Sequence, residues 1–270
     1  MRRSSTPNAL IFPPLPSGQV YKGAQQVRVR SEQWFKQWAF CPNCGAPELA
    51  QLPNNSPVRD FVCRVCGAQY ELKSKGGLWG AKIVDGAYHT MMTRLTAFDS
   101  PHLCLVSYRP ELFRVEQALV VPKYFFQPAL IEARRPLAAT ARRAGWVGCN
   151  IRLHEIPQMG KIWLVRDGQA VPKRKVMMQW RQSCFLATES NVVRRGWLLD
   201  MMQLIERLDR AEFSLREIYT FVDEMRLRHP HNQHVEDKMR QQLQRLRDLG
   251  YLEFTRRGCY RLVRFSGMAT

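Results

Sequence analysis

The sequence predicts an α/β core carrying an embedded four-cysteine zinc site, followed by a C-terminal winged-helix domain. Three observations predict it. β-rich and amphipathic runs alternate between residues 31 and 190, as in a mixed α/β domain. Two Cys-x-x-Cys pairs, Cys41/Cys44 and Cys63/Cys66, stand 18 residues apart, which is a zinc-ribbon spacing. Three helical runs and a hairpin fill the stretch 191–264, which is winged-helix organisation.

The elements follow in order. Residues 1–30 are rich in Pro, Ser and Gln and are expected to form a flexible leader. Pro13, Pro14 and Pro16 break any apolar run, so the leader does not read as a signal peptide. Ser31 is the expected N-cap of a helix with Trp34, Phe35 and Trp38 on one face. Glu71 to Lys73 reads as a short strand. Residues 84–98 read as a helix whose apolar stripe is Tyr88, Met91, Met92 and Leu95. Residues 102–108 and 115–122 are strands across a Pro-containing turn. Residues 133–150 form a basic loop without clean periodicity. Residues 161–165 are a strand ending in a tight turn, and "KRKVMMQWRQSCF" is a basic amphipathic helix.

In the second domain, residues 194–209 form a helix with Trp197, Leu198, Met201, Leu204, Ile205 and Leu208 on one side. Ser214 caps the next helix. His234 starts a third, which ends at Gly250. "YLEFTRRGCYRLV" is a hairpin around Arg257-Gly258. Residues 265–270 are a tail.

The 270 residues carry a formal charge of +18, the footprint of a protein that binds a polyanion, most often nucleic acid. Residues from 191 onward hold 15 Lys and Arg against 11 Asp and Glu, so most of the excess lies in residues 1–190. No apolar run approaches the length of a membrane span, and a cytoplasmic location is expected. Cys104, Cys149, Cys184 and Cys259 are expected to be small buried hydrophobes.

Each Cys pair is followed by glycine, Gly45 or Gly67, which lets backbone amides turn towards thiolate sulfur. Four thiolates satisfy tetrahedral Zn²⁺ and leave no open position, so this zinc is expected to be structural. Two disulfides or a redox dithiol are the rival readings.

Asp60 precedes the second pair, and Glu71-Leu72-Lys73 follows it. On a strand Glu71 and Lys73 share a face while Leu72 points to the core. Two acids on adjacent strands with a nearby lysine would suit Mg²⁺-assisted phosphodiester hydrolysis. A solvated, charged strand face has the same spacing. Trp146, between Gly145 and Gly148, reads as either a core tryptophan or a flat surface for a ligand. Arg142 and Arg143 could meet guanine edges or phosphates. In the last helix Val235, Met239, Leu243 and Leu246 form the buried stripe. His234, Lys238, Gln241 and Arg245 point outward, as on a recognition helix or a solvated face. Arg256 and Arg257 on the wing suit phosphate. His89, His102 and His154 show no ligand spacing.

The segments "CPNCG", "NNSPVRDF", "YELKSK", "DGAYHTMMTR", "RPLAATARRAGWVGCNI" and "MRQQLQRLRD", in this order, resemble the DpnI type of methyl-directed restriction endonuclease from about residue 31 to about 263. The resemblance implies a PD-(D/E)xK nuclease core over residues 31–190. It implies type II cleavage, leaving blunt ends, of double-stranded DNA at GATC whose adenine carries an N6-methyl group. Asp60, Glu71 and Lys73 take the catalytic positions. Asp60, Glu71 and the Leu72 carbonyl would hold Mg²⁺, and Trp146 falls on the methyl-reading tryptophan. The proline of the wider signature is Pro57 rather than the residue before Asp60. A monomer in solution is expected. The alternative is a zinc-ribbon, winged-helix regulator that binds methylated DNA without cutting it.

Overall fold

The computed structural model describes residues 7–18, 20–53, 59–95, 97 and 99–263. Pro57 and the tail 265–270 lie outside them. In chain order the elements are α1 (Gly23–Trp38), β1 (Ala50–Gln51), β2 (Phe61–Val62), β3 (Gln69–Gly76), β4 (Lys82–Ala87), α2 (Tyr88–Leu95), β5 (His102–Arg109) and β6 (Arg114–Val121). There follow β7 (Ile131–Ala133), β8 (Gly148–Arg152), β9 (Ile162–Arg166), β10 (Gln169–Ala170) and α3 (Lys173–Ser183). The last are α4 (Val192–Arg207), β11 (Glu212–Ser214), α5 (Leu215–Tyr219), α6 (Val222–Arg228), α7 (Val235–Asp248), β12 (Leu252–Arg256) and β13 (Cys259–Leu262). Among the described residues no helix is long and apolar enough to cross a membrane.

The chain forms two compact units that interleave in sequence. The first comprises 1–83, 97–123 and 159–181; the second comprises 84–96, 124–158 and 182–270.

The first unit is built on a seven-stranded sheet of order β1-β2-β3-β5-β6-β9-β10. β3 and β5 pair in parallel, and the other pairs described are antiparallel. The central strand β5 is buried from His102 to Tyr108, as its near-continuous apolar run requires. Asp167 and Gly168 turn β9 into β10 with φ values of 52° and 68°, the primed two-residue turn that matches strand twist. Helix α1 starts at Gly23, not at Ser31. Ser31 sits inside it, where its hydroxyl donates to the Arg28 carbonyl at 3.0 Å instead of capping a new helix. Trp34 and Phe35 are buried, and Trp34 stacks on Trp38 at 4.9 Å. The stretch expected to be a loose leader brings Phe12 into this core, against Trp34 and Tyr108.

In the second unit the helix expected over 84–98 is shorter. Residues 82–87 form β4, which joins the sheet β4-β8-β7, and only Tyr88–Leu95 is helical. Strand pairing wins over helix period here because Ile83 and Val84 are β-branched and Gly86 follows. No α2 residue is fully buried, so its apolar stripe is half-covered.

The C-terminal part runs α4, β11, α5, α6, α7 and the hairpin β12–β13, with sheet order β11-β13-β12. Ser214 and Glu217 form a capping box, which starts α5. The second helix expected from sequence is two, α5 and α6. Strand β11 was hidden because it is only three residues long and ends on the cap, Ser214, itself. Val235, Met239, Leu243 and Leu246 are buried as expected, and Gly250 ends α7 at φ 77°. Buried Asp200 of α4 accepts hydrogen bonds from Gln127 Nε2 at 2.9 Å and Arg228 at 2.9 Å, and pairs with His229 Nε2 at 2.8 Å. Cys104 and Cys149 are buried, whereas Cys184 and Cys259 are only half-buried, because they lie in a short 3-10 turn and on the wing strand.

Candidate active site and metal centre

Antiparallel pairing sets Phe61 opposite Tyr70 and Val62 opposite Gln69. One residue earlier, the Asp60 N–H donates to the Tyr70 carbonyl at 3.0 Å. The Leu72 N–H donates to Asp60 Oδ2 at 2.7 Å. The Asp60 carboxylate is thereby fixed alongside residues 70–72, next to Glu71. Lys73 is two residues further on the same strand face, with Nζ 2.9 Å from Glu71 Oε1. Their side chains are 20% and 19% exposed, so the pair is partly desolvated. Leu72 is half-buried rather than a core residue. Tyr70, on the same face as Leu72, takes the core position and is fully buried. Cys104 pairs in register with Leu72. Burial, then the fields of Asp60 and Glu71, push its thiol well above the usual range.

The four cysteine sulfurs all lie within 4.8 Å of one another. The Cys41–Cys66 and Cys44–Cys63 pairs are both 3.6 Å apart, too far for a disulfide. A tetrahedron of ~2.3 Å Zn–S bonds has edges of about 3.8 Å, so the residues fit this ion. Burial pushes the Cys41 and Cys44 thiols up. At Cys63 burial is outweighed by the backbone N–H groups of Cys66 and Val65, and the thiol is held below its usual value. This is the amide-lined knuckle expected from the Cys-x-x-Cys-Gly pattern. Asn43 Nδ2 donates to Cys66 Sγ at 3.4 Å and Tyr70 Oη lies 3.1 Å from Cys41 Sγ. Lys173 Nζ of α3 reaches the Gly45 carbonyl, and Trp180 Nε1 donates to Asn43 Oδ1 at 3.0 Å.

The residues expected to read DNA lie in the other unit. Trp146 closes a loop in which its carbonyl accepts from Leu137 N at 3.0 Å. A Cβ on Gly148 would stand 2.8 Å from its ring, so the glycine allows the indole to lie on the backbone. The Arg143 guanidinium stands over that ring at 4.6 Å, and Arg142 is exposed. On α7, His234 and Gln241 are exposed, Lys238 is half-buried, and Lys238 Nζ donates to Gln241 Oε1 at 2.7 Å. Arg245 is ion-paired at 2.5 Å with buried Glu189, so it is engaged within the protein. Arg256 and Arg257 are exposed on the wing.

A family model described as DpnI, Dam-replacing family, matches residues 17–189. A second, the Dam-replacing HTH domain, matches residues 193–262. The chain belongs to the DpnI family. It is thus a relative of the methyl-directed restriction endonucleases, with a C-terminal helix-turn-helix domain that implies DNA binding.

Sequence reasoning on this DpnI-family chain overlooked Tyr70, Asn43 and Trp180 around the cysteine centre. It treated His102 as one structural histidine among several. In the structure His102 is buried, its ring 5.4 Å from Tyr70 and 4.8 Å from Trp180. His89 and His154 are exposed, as ordinary surface residues.

Proposed function

We propose that the protein is a Mg²⁺-dependent type II restriction endonuclease that hydrolyses double-stranded DNA at GATC carrying N6-methyladenine, on a PD-(D/E)xK core. The observation that carries this reading is the convergence of Asp60, Glu71 and Lys73 at the β2–β3 pair. The Asp60 and Glu71 carboxylates and the Leu72 carbonyl form a hard-oxygen donor set that suits Mg²⁺. When bound, that ion offsets charge developing on the scissile phosphate and favours water as a nucleophile. The chain itself does the rest. Asp60 is held in place by the Leu72 N–H. Lys73, paired with Glu71, places an ammonium where it orients the attacking water and draws the phosphate in. The water oxygen bonds to phosphorus as the bond to the leaving sugar oxygen breaks. Zinc on Cys41, Cys44, Cys63 and Cys66 is structural, since four thiolates close its coordination.

Methyl recognition rests on Trp146. In methylated GATC the two methyl groups stand on adjacent base pairs in the major groove, within reach of one flat apolar surface. Arg142 and Arg143 flank it for guanine edges or phosphates. His234, Lys238 and Gln241 contact bases, and Arg256 and Arg257 contact phosphate. A cytoplasmic, monomeric enzyme of this kind would destroy DNA bearing foreign methylation.

The test uses plasmid from methylating and non-methylating hosts, each with Mg²⁺ or with EDTA. Cleavage of methylated plasmid alone, and only with Mg²⁺, is the expected result. Binding of methylated DNA with no cleavage under any condition would leave a regulator instead.

A further inference from the structure

A closed chain of contacts surrounds the cysteine centre. Tyr70 Oη touches Cys41 Sγ at 3.1 Å. The Tyr70 ring meets that of His102 at 5.4 Å, and His102 meets Trp180 edge-on at 4.8 Å. Trp180 Nε1 donates to Asn43 Oδ1 at 3.0 Å, and Asn43 Nδ2 donates to Cys66 Sγ at 3.4 Å. Tyr70 and His102 are register partners on β3 and β5. Strand, strand and helix α3 are thus tied to both knuckles through side chains that are not metal ligands.

Tyr70 has a second attachment. Its carbonyl accepts from the Asp60 N–H at 3.0 Å, and its neighbour in sequence is Glu71. One buried residue therefore bonds to a cysteine of the soft-metal centre at its side-chain end. At its backbone end it bonds to one of the two acids proposed for the hard metal. A thiolate has no proton to give, so towards a metal-bound Cys41 the hydroxyl is the donor. Donors of this kind orient ligands and commonly change metal affinity 10–100-fold when removed.

We infer that Tyr70 and Asn43 are positioning residues of the four-cysteine centre, and that Tyr70, rather than Asn43, carries the geometry of that centre to Asp60 and Glu71. The second clause rests on the proposed roles of those acids. Asn43 bonds to Cys66 in the turn between β2 and β3 and to Trp180 of α3, and not to Tyr70 or either acid, so its removal should loosen the zinc while the Tyr70 bond to Asp60 stays in place.

The experiment uses full-length, zinc-loaded protein with Tyr70→Phe and Asn43→Ala. Zinc affinity is measured by competition with a chromophoric chelator. Mn²⁺, which shares the oxygen preference of Mg²⁺, is titrated by electron paramagnetic resonance, so that the acids are read without cleavage. Both variants should weaken zinc binding about tenfold or more. Only Tyr70→Phe should also weaken Mn²⁺ binding several-fold, and Asp60→Ala should abolish it. Unchanged zinc affinity in Tyr70→Phe would overturn the inference. Equal loss of Mn²⁺ affinity in both variants would overturn the coupling, because general loosening would then explain it. Plasmid cleavage, run beside these titrations, separates the two ideas. A wild type that binds Mn²⁺ but never cuts would refute the proposed reaction and leave the coupling standing. A wild type without Mn²⁺ binding would overturn the assigned acids and the coupling, and the zinc titrations would still decide the roles of Tyr70 and Asn43.

Discussion

Acid should weaken this fold through one histidine. His102 is buried, and its Nδ1 accepts from the Lys123 N–H at 3.1 Å, which leaves the proton of the neutral ring on Nε2. Burial, helped by the charge of Lys123, lowers its pKa to about 3. In the unfolded chain a histidine titrates near pH 6.5. Below that value the unfolded chain binds a proton that the folded chain refuses. The stabilisation from neutral His102 is complete above pH 6.5 and is lost as the pH falls towards 3. Between pH 7.5 and pH 5 the loss is about 2 kcal/mol. The assay is urea unfolding at both pH values, with zinc in excess, for the wild type and His102→Gln. Glutamine keeps an acceptor for the Lys123 N–H and does not titrate. Protonation of the four clustered cysteines affects both proteins alike and cancels in the difference. The wild type should lose about 2 kcal/mol more than the variant. An equal loss in the two would refute the claim that His102 is held neutral by its surroundings.

Asp200→Ala should cost about 1–3 kcal/mol in urea unfolding, because it removes the buried acceptor of Gln127 and His229 while Arg228 keeps Gln203 and Glu224; a change under 0.5 kcal/mol, on the order of a neutral surface substitution, would count against that network. Ser214→Ala should cost about 1 kcal/mol by loss of the capping box, read as a lower melting temperature. Asp60→Ala should abolish cleavage yet leave methyl-dependent binding in place in gel-shift titration; loss of binding as well would make Asp60 structural. Trp146→Ala should narrow the affinity gap between methylated and unmethylated duplex. Two methyl groups at ~0.8 kcal/mol each make the change roughly 15-fold, and an unchanged gap would remove Trp146 from recognition.

The four-cysteine centre was legible because ligand spacing is local: two knuckles of four residues carry the chemistry, and the amides lining Cys63 follow from the glycine behind it. The capping serine, the buried stripe of α7 and the wing hairpin were legible for the same reason. Residues around 82–87 misled, because a helical stripe and a strand of β-branched residues overlap there, and a partner more than sixty residues away decided between them. The start of α1 was obscured by Ser31, a good cap that is equally content to bond back within a helix. Tyr70, Asn43 and Trp180 could not be found by spacing, since only the β3–β5 register and the placement of α3 bring them around the cysteines. Arg245 showed the converse. Its helical phase is outward, as expected, but Glu189 from a distant segment occupies it.

The interleaving of the two units has a consequence for how the protein is made. The chain crosses between them five times, so the first unit cannot close until residue 181 has been made, and the second must wait for the rest of the chain. Residues 124–158, with Trp146, wait for α4: Gln127 meets Asp200 across 73 residues of sequence, a long-range closure of the kind that slows folding. Residues 159–181 in turn must reach back to the knuckle at Asn43, 137 residues before Trp180. A truncation at residue 190 would leave Gln127 without Asp200 and the second unit without α4 to α7. A chain ended there would hold the whole of the first unit but only residues 84–96, 124–158 and 182–190 of the second.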